Sequence, residues 1–304
     1  MSTKLKKNKI GKTTSDKITD IVICTIMVFM SAVAIYPLWY TIIASLSNPN
    51  LVNNGEVFLW PKDITFIGYK SMFQNKQLWR GYLNTMEYTV VGTFLNLAVT
   101  VPAGYALSRK SLPYRGLILA FFMVPMYFSG GAIATYLVVA ELKLIDTFWV
   151  MVLPHGITTF NMIICRNYFT GNIPESLFES ATLDGASVTQ FFFKFVIPLS
   201  KPIIAVLTLY FSIPKWNDYM SGLLYINEPK KQTLQYIIRS ITSSDQKQDV
   251  ADPTLDPEEL REAQIKAGVM KYAVIIVAAL PLYILYPAVQ KYLIGGMMVG
   301  AVKE

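Results

Sequence analysis

Side chains able to do chemistry are sparse in this sequence, and their types exclude more than they permit. His155 is the single histidine, so neither a histidine metal cluster nor a Ser-His-Asp triad can be assembled within the chain, and no metal site is expected. Its two readings are a hydrogen-bonded packing residue or a residue of a pathway. Cys24 and Cys165 both fall inside apolar runs, which supports neither a disulfide framework nor a thiolate metal site. Gly11-Lys12-Thr13 has the ending of a phosphate-binding loop, but Lys6 stands where the first glycine is needed and no strand precedes it. Three amides, Asn96, Asn161 and Asn217, lie in or beside apolar runs, where a polar group faces another helix or an aqueous path.

One polar, jointed stretch remains, Pro174 to Pro202, set between long apolar runs. Pro174 suits the first turn of a helix, where its missing N–H costs nothing, and Glu175 and Glu179 favour the positive end of the helix dipole. Asp184-Gly185 offers turn chemistry. Ser187, followed three residues later by Gln190, matches a capping box that opens a second helix, which Pro198 and Pro202 are expected to bound. Leu177, Phe178 and Ala181 share one face of the first helix, an apolar stripe fit to press into a groove on something else. An ordinary surface hairpin is the alternative.

The elements around this stretch are apolar. Of 304 residues, 53% are hydrophobic and 15% charged, against about a quarter charged in an ordinary globular domain. Runs free or nearly free of charge occupy Ile21–Gly55, Tyr88–Ser108, Gly116–Ala140, Thr147–Cys165 and Tyr272–Gln290, each near or above the roughly 20 residues needed to cross a bilayer core. A weaker sixth run, Pro202–Gly222, carries Lys215 and Asp218 near one end. The expected fold is therefore all-α and integral to the membrane. Six transmembrane helices are expected at about 21–45, 85–108, 117–140, 147–166, 202–222 and 271–290, with a tail over 1–20, the jointed loop over 173–201 and a second tail over 294–304.

The formal net charge of +7 follows the positive-inside rule better than a nucleic-acid surface, because the basic residues sit beside spans and no interleaved basic and aromatic surface exists. Lys4, Lys6, Lys7, Lys9, Lys12 and Lys17 precede the first run, and Arg109, Lys110 and Arg115 lie in the second loop. Both segments read as cytoplasmic. Six spans then place both termini and Pro174–Lys201 in the cytoplasm. The first run is too long for a cleavable signal peptide and lacks a small-residue cleavage site.

Within the spans, Pro37 predicts a kink in the first. Pro125 with Gly130-Gly131 predicts either a bent third helix at mid-membrane or close packing against small residues. Lys215-Trp216-Asn217-Asp218-Tyr219 reads as an interfacial anchor or a cavity wall. The loop 47–81 is rich in aromatics suited to headgroup depth. An external excursion over Leu223–Gly268 holds an acidic stretch, Ser243–Glu262, in which Asp256 as N-cap and Pro257 are expected to open a helix.

Glu179, Ala181, Gly185 and Pro198 fall in the register of the EAA signature carried by permease subunits of bacterial ATP-binding-cassette importers, with Ser180, Phe195 and Ile197 as mild departures. ATLDGAS, Ala181 to Ser187, looks like the carbohydrate branch of that family, in the subfamily of the maltose-type second permease. Leu153-Pro154, Asn161 to Arg166, Trp216-Asn217-Asp218 and Gly300 to Lys303 agree with it, so the resemblance spans roughly Leu83 to Lys303. It implies a type I importer permease fold in which Glu179, Ser180, Ala181, Asp184, Gly185 and Ala186 form a cytoplasmic coupling helix and turn seated on a separate ATPase. Glu179 would offer its carboxylate to a basic residue there, and Gly185 would allow the sharp turn.

The same resemblance implies a second permease subunit, two ATPase copies that bind the ATP, an extracellular solute-binding protein, membrane lipid and a sugar, with an oligosaccharide as the expected substrate. No cofactor is held by this chain and no nucleic acid is involved. The setting is a bacterial cell membrane. Gly296–Lys303 would reach toward the ATPases and Ser243–Glu262 toward the binding protein, while Asn96, Asn161 and Asn217 are candidate pathway residues. A non-sugar solute such as a peptide or polyamine and a self-sufficient secondary carrier are the alternatives within transport. An intramembrane enzyme is disfavoured, because the spans lack clustered acids or a nucleophile with a base.

Overall fold

The computed structural model describes residues 13–154, 156–244 and 257–300, and among these every regular element is helical. His155, the lysines before Thr13, residues 245–256 of the acidic stretch, its expected N-cap Asp256, and residues 301–304 lie outside the described residues.

Helix α1 covers Thr14–Ser45, and the Asp16 carboxylate accepts the Thr13 N–H at 2.9 Å to close its first turn. From Thr13 to Trp39 its side chains are exposed. Its last turn is buried, where Ile43 and Ala44 pack with Val52 and Val57. Two short helices, Pro49–Asn53 and Ile67–Gln74, follow in the aromatic loop. Helix α2, Lys76–Ser108, is opened by Asn75, whose side chain accepts the Leu78 N–H at 3.0 Å.

Helices α3, Arg115–Tyr127, and α4, Gly131–Glu141, come from the third apolar run and meet at 112°. The bend falls after Pro125, at Gly131, whose φ of +78° suits a residue without Cβ. The run expected as the fourth span is two helices, α5 (Phe148–Val152) and α6 (Thr159–Asn172), parted around Pro154 and Gly156. Then come α7 (Glu175–Leu183), α8 (Val188–Leu199), α9 (Lys201–Trp216), α10 (Met220–Tyr225), α11 (Leu234–Ser244) and α12 (Pro257–Gly300). Helices α8 and α9 meet at 78°. Helices α1 and α2 and the Met270–Pro287 part of α12 are each long and apolar enough to cross a membrane, and the bent pairs α3/α4 and α8/α9 raise the number to five among the described residues.

Helix α2 is the axis of the bundle, packed against α5, α6, α9 and α11. Its buried face mixes large residues such as Leu78, Tyr88 and Tyr105 with many small and polar ones, among them Gly81, Thr85, Gly92, Asn96, Thr100 and Gly104. Helices approach most closely across such residues where lipid rather than water surrounds them. A Cβ at Gly104 would stand 2.9 Å from Cβ and Sγ of Cys165 on α6. That close approach sets the separation of α2 and α6. Gly104→Leu is therefore expected to overpack the contact and to cost about 1–3 kcal/mol, read as a lowered midpoint of thermal unfolding in detergent. Gly116→Leu, where an added Cβ meets nothing within 4 Å, is expected to leave the midpoint unchanged.

Candidate functional site

Each joint of the 174–202 segment is made by a local backbone device. Pro174 stands one residue ahead of α7, as its N-cap in extended conformation (φ −62°, ψ 145°). Ser180 and Thr182 turn their hydroxyls back onto the carbonyls of Ser176 and Phe178. At the far end the Gly185 N–H bonds the Thr182 carbonyl at 3.0 Å and the Ala186 N–H bonds the Ala181 carbonyl at 2.9 Å. With φ of +82° at Gly185, this is a Schellman stop. Ser187 then begins α8 through a reciprocal pair: its hydroxyl accepts the Gln190 backbone N–H at 3.2 Å and the Gln190 side-chain Oε1 accepts the Ser187 N–H at 3.0 Å. Asp184 to Ser187 is thus a turn of fixed shape.

The apolar stripe of α7 has a different destination from the expected one. Leu177, Phe178 and Ala181 do not press into a groove elsewhere but pack on the chain's own core, with Phe191, Phe192 and Val196 of α8, Cys165 and Phe169 of α6, Val101 and Tyr105 of α2, and Ile203, Leu207 and Phe211 of α9. The rings of Phe178 and Phe191 meet edge to face at 5.2 Å. Arg109, at the end of α2, lies 4.1 Å over the Phe178 ring while its Nη2 is 3.0 Å from Glu175 Oε1. A guanidinium so placed between ring and carboxylate pins α7 to α2.

Pro198 also departs from expectation, since it does not bound the second helix; α8 runs through it to Leu199. The turn before it, Phe192–Val196, is a π-helix in which the Ile197 N–H reaches the Phe192 carbonyl. A proline ring clashes with the carbonyl four residues back, and the widened turn gives it room.

With its stripe buried, the hairpin presents Glu179, Ser180, Leu183, Asp184, Gly185 and Val188 outward, while Ala181 is buried and Ala186 half-buried. Leu183 is 89% exposed, an apolar tip flanked by two carboxylates on a rigid support. Leu183 and Arg109 were missed as functional residues in the sequence. The first lies two residues past Ala181, on the side of the helix away from the stripe, and the second reads only as part of a basic loop.

At the opposite half of the bundle the helix breaks enclose a cavity of about 530 Å³, lined among others by Asn96, Thr135, Thr158, Lys215, Asp218 and Tyr225. The Asn96 amide, oriented by its hydrogen bonds, donates to the carbonyls of Gly92 at 3.0 Å and Gly156 at 3.2 Å. Lys215 Nζ donates to the Val152 carbonyl at 3.1 Å, and the Asp218 carboxylate accepts the Ser221 N–H at 2.9 Å. Lys215 and Asp218 of the 215–219 cluster line this cavity. Asn161 is buried in α6 and Asn217 is exposed, bonded to the Ile213 carbonyl and to Gln235, and neither lines this cavity. Among the described residues no group of three or more His, Cys, Asp or Glu is placed to hold a metal ion.

Beyond the cavity, the Asp146 carboxylate accepts the N–H groups of Asn227 at 2.6 Å and Glu228 at 2.9 Å and the Asn227 amide at 3.0 Å, and Lys231 donates to the Asp146 carbonyl at 2.9 Å. This clamp joins the turn after α4 to the segment after α10. The Glu228 N–H chiefly, then the Asn227 groups, hold the Asp146 carboxyl below the usual carboxylate range.

Comparison with known proteins accords with this architecture. The family described as "binding-protein-dependent transport system inner membrane component" matches residues 97–299. Protein LplC of Bacillus subtilis (strain 168) is 36% identical over 284 residues, covering 92% of this chain and 94% of that protein. The polygalacturonan/rhamnogalacturonan transport system permease protein YtcP of the same organism is 33% identical over 293 residues, covering 95% and 99%. A chain from the crystal structure of a bacterial ABC transporter involved in the import of the acidic polysaccharide alginate superposes with a TM-score of 0.83 at 31% identity, covering 93% of this chain and 99% of that one. The all-helical fold is thus that of a type I ABC importer permease, a multi-pass membrane protein.

Two outcomes follow from this geometry. Arg109→Met removes the ion pair with Glu175 and the cation over Phe178, and is expected to cost about 1–3 kcal/mol and to speed hydrogen exchange in α7 while leaving that in α12 unchanged. The Asp146 clamp has a sign fixed by its depressed pKa. Its contribution is complete above the ordinary carboxylate pKa near 4 and is lost as pH falls through the lower folded value. Cleavage by an acid protease between Ile226 and Lys231 is expected to rise below about pH 4, and Asp146→Asn should raise it already at neutral pH under a neutral protease.

Proposed function

Because the chain belongs to the family of binding-protein-dependent transport system inner-membrane components, we propose that it is a membrane-spanning permease subunit of an ATP-driven importer that takes up an oligosaccharide. One observation carries the coupling half of this reading: an exposed tip, Glu179 to Gly185, stands on a helix whose other face is buried in a core shared with α2, α6 and α9. A load applied to that tip moves three bundle helices with it. The substrate half draws on the relatives, one named for polygalacturonan and rhamnogalacturonan and one for alginate, all polymeric sugars.

On this reading six segments span the membrane. They are α1, α2, the bent pair α3/α4, the broken pair α5/α6, α9 and α12. Both termini then lie on the α7 side, in the cytoplasm of a bacterium. Helix α7 is the coupling helix. Leu183 enters a cleft on an ATPase subunit, Ser180 and Gly185 keep the contact close, and Glu179 and Asp184 meet basic side chains at its rim. Two ATPase copies bind the ATP, a second permease completes the pathway, and an extracellular binding protein delivers solute to the side carrying the Asp146 clamp. Asn96 belongs to the translocation pathway, and Asn161 and Asn217 remain proposed contributors in other conformations. Nucleotide-driven closure of the ATPases biases a two-state change of access through the α7 lever.

The double variant Glu179→Lys/Leu183→Asp alters exposed positions alone, so the permease should insert and unfold as wild type does. It is expected to lose at least tenfold in co-purification with its ATPase and in ATP-driven uptake into proteoliposomes. Retention of both at wild-type level refutes α7 as the docking helix. Gly185→Val, strained at φ +82° by about 1–2 kcal/mol, should weaken the same two readouts.

A further inference from the structure

The cavity opposite the coupling end carries a charge that the import of a neutral sugar does not require. Lys215 stands in the last turn of α9, and its ammonium bonds the Val152 carbonyl, the last residue of α5. Its stem lies against Gly92 of α2, where a Cβ would come within 2.7 Å of Lys215 Cδ and Cε and 2.9 Å of Nζ. The absent side chain is a notch that fixes the lysine. An ammonium has three N–H donors, and the Val152 carbonyl takes one. Among the described residues no carboxylate lies within 4.0 Å of it. Asp218, the other charged residue of the wall, interacts with Lys215 through space without a direct ion pair, and its carboxylate accepts the Ser221 N–H.

We propose that Lys215 is the charge-selecting residue of the pathway, pairing with the carboxylate of an acidic, uronate-containing oligosaccharide as it passes the cavity. This rests on the reading of the chain as an oligosaccharide permease and names the class of its substrate. A carboxylate entering a membrane-embedded cavity loses much of its hydration, a cost that a fixed ammonium offsets. The remaining lining suits the rest of such a sugar. Asp218, Thr135, Thr158 and Ser221 are polar groups of the wall able to meet ring hydroxyls. A neutral sugar offers no anionic partner to this half-buried ammonium, whose N–H donors beyond the Val152 bond are then met only by neutral oxygens.

The test uses the complete importer, with its second permease, ATPases and binding protein, in proteoliposomes. Initial rates of ATP-driven uptake are compared for trigalacturonate and trimannuronate against galactotriose and mannotriose, in wild type, Lys215→Gln and Lys215→Arg. The expected result is uptake of an acidic trimer by wild type, a loss of roughly tenfold or more in Lys215→Gln, and substantial recovery in Lys215→Arg, with no parallel loss for neutral trimers. A structural role capping α5 would lower acidic and neutral uptake together, and that outcome overturns the proposal. So does a wild type that carries neutral trimers alone, or a Lys215→Gln that carries acidic trimers at the wild-type rate. Failure to carry any of the four sugars overturns the oligosaccharide reading itself, and with it this one.

Discussion

The burial of one face of α7 against its own chain is the contact on which the remainder of the structure depends. Ala181, Leu177 and Phe178 join a cluster to which α2, α6, α8 and α9 all contribute. Burying one such large side chain contributes about 1.5–3 kcal/mol, and several act together with the Arg109 bridge. Without that anchoring, a nine-residue helix is too short to hold its shape in water. With it, the exposed face becomes part of a body that includes the central helix of the bundle.

A division of labour within α7 follows from its periodicity. The residues facing inward are apolar, whereas those facing outward are small, acidic or, in Leu183, singly apolar. The turn at its end adds no freedom, because the Schellman stop at Gly185 and the reciprocal cap at Ser187 satisfy successive backbone groups. A hinge there would dissipate a displacement; a rigid corner passes it to α8 and, across the shared cluster, to α2, α6 and α9.

Much of this was legible in the sequence where the cause is local. The capping box at Ser187, the turn at Asp184-Gly185, the bend near Gly130-Gly131 and the long apolar helices each follow from residues a few positions apart. What was not legible depends on tertiary partners. The stripe of α7 is visible as a stripe, but nothing within Glu175–Leu183 says whether its cover is another protein or Phe191 of the same chain. Pro198 carries the signal of a helix end, and a π-turn upstream removes the clash that makes it one. Lys215-Trp216-Asn217-Asp218-Tyr219 reads sooner as an interfacial anchor than as a wall until Val152 and Gly92 are brought beside the lysine. The amides show the same limit, since three asparagines of one type end in a cavity, a core and an exposed surface.

The cavity and the helix breaks have a single origin. Its wall takes residues from the start of α4 at Gly131, from the α5/α6 break at Pro154 and Thr158, and from the end of α9 at Lys215 and Asp218. An interrupted helix leaves carbonyl and N–H groups without partners, and within a membrane these need protein or water to meet them. Here side chains supply part of the need, Lys215 bonding the Val152 carbonyl, Asn96 the Gly156 carbonyl and Asp218 the Ser221 N–H. Polar side chains recruited to mend broken helices are the same side chains that a hydrated solute can use. The breaks therefore gather polar side chains around the cavity at the places where the helices are interrupted.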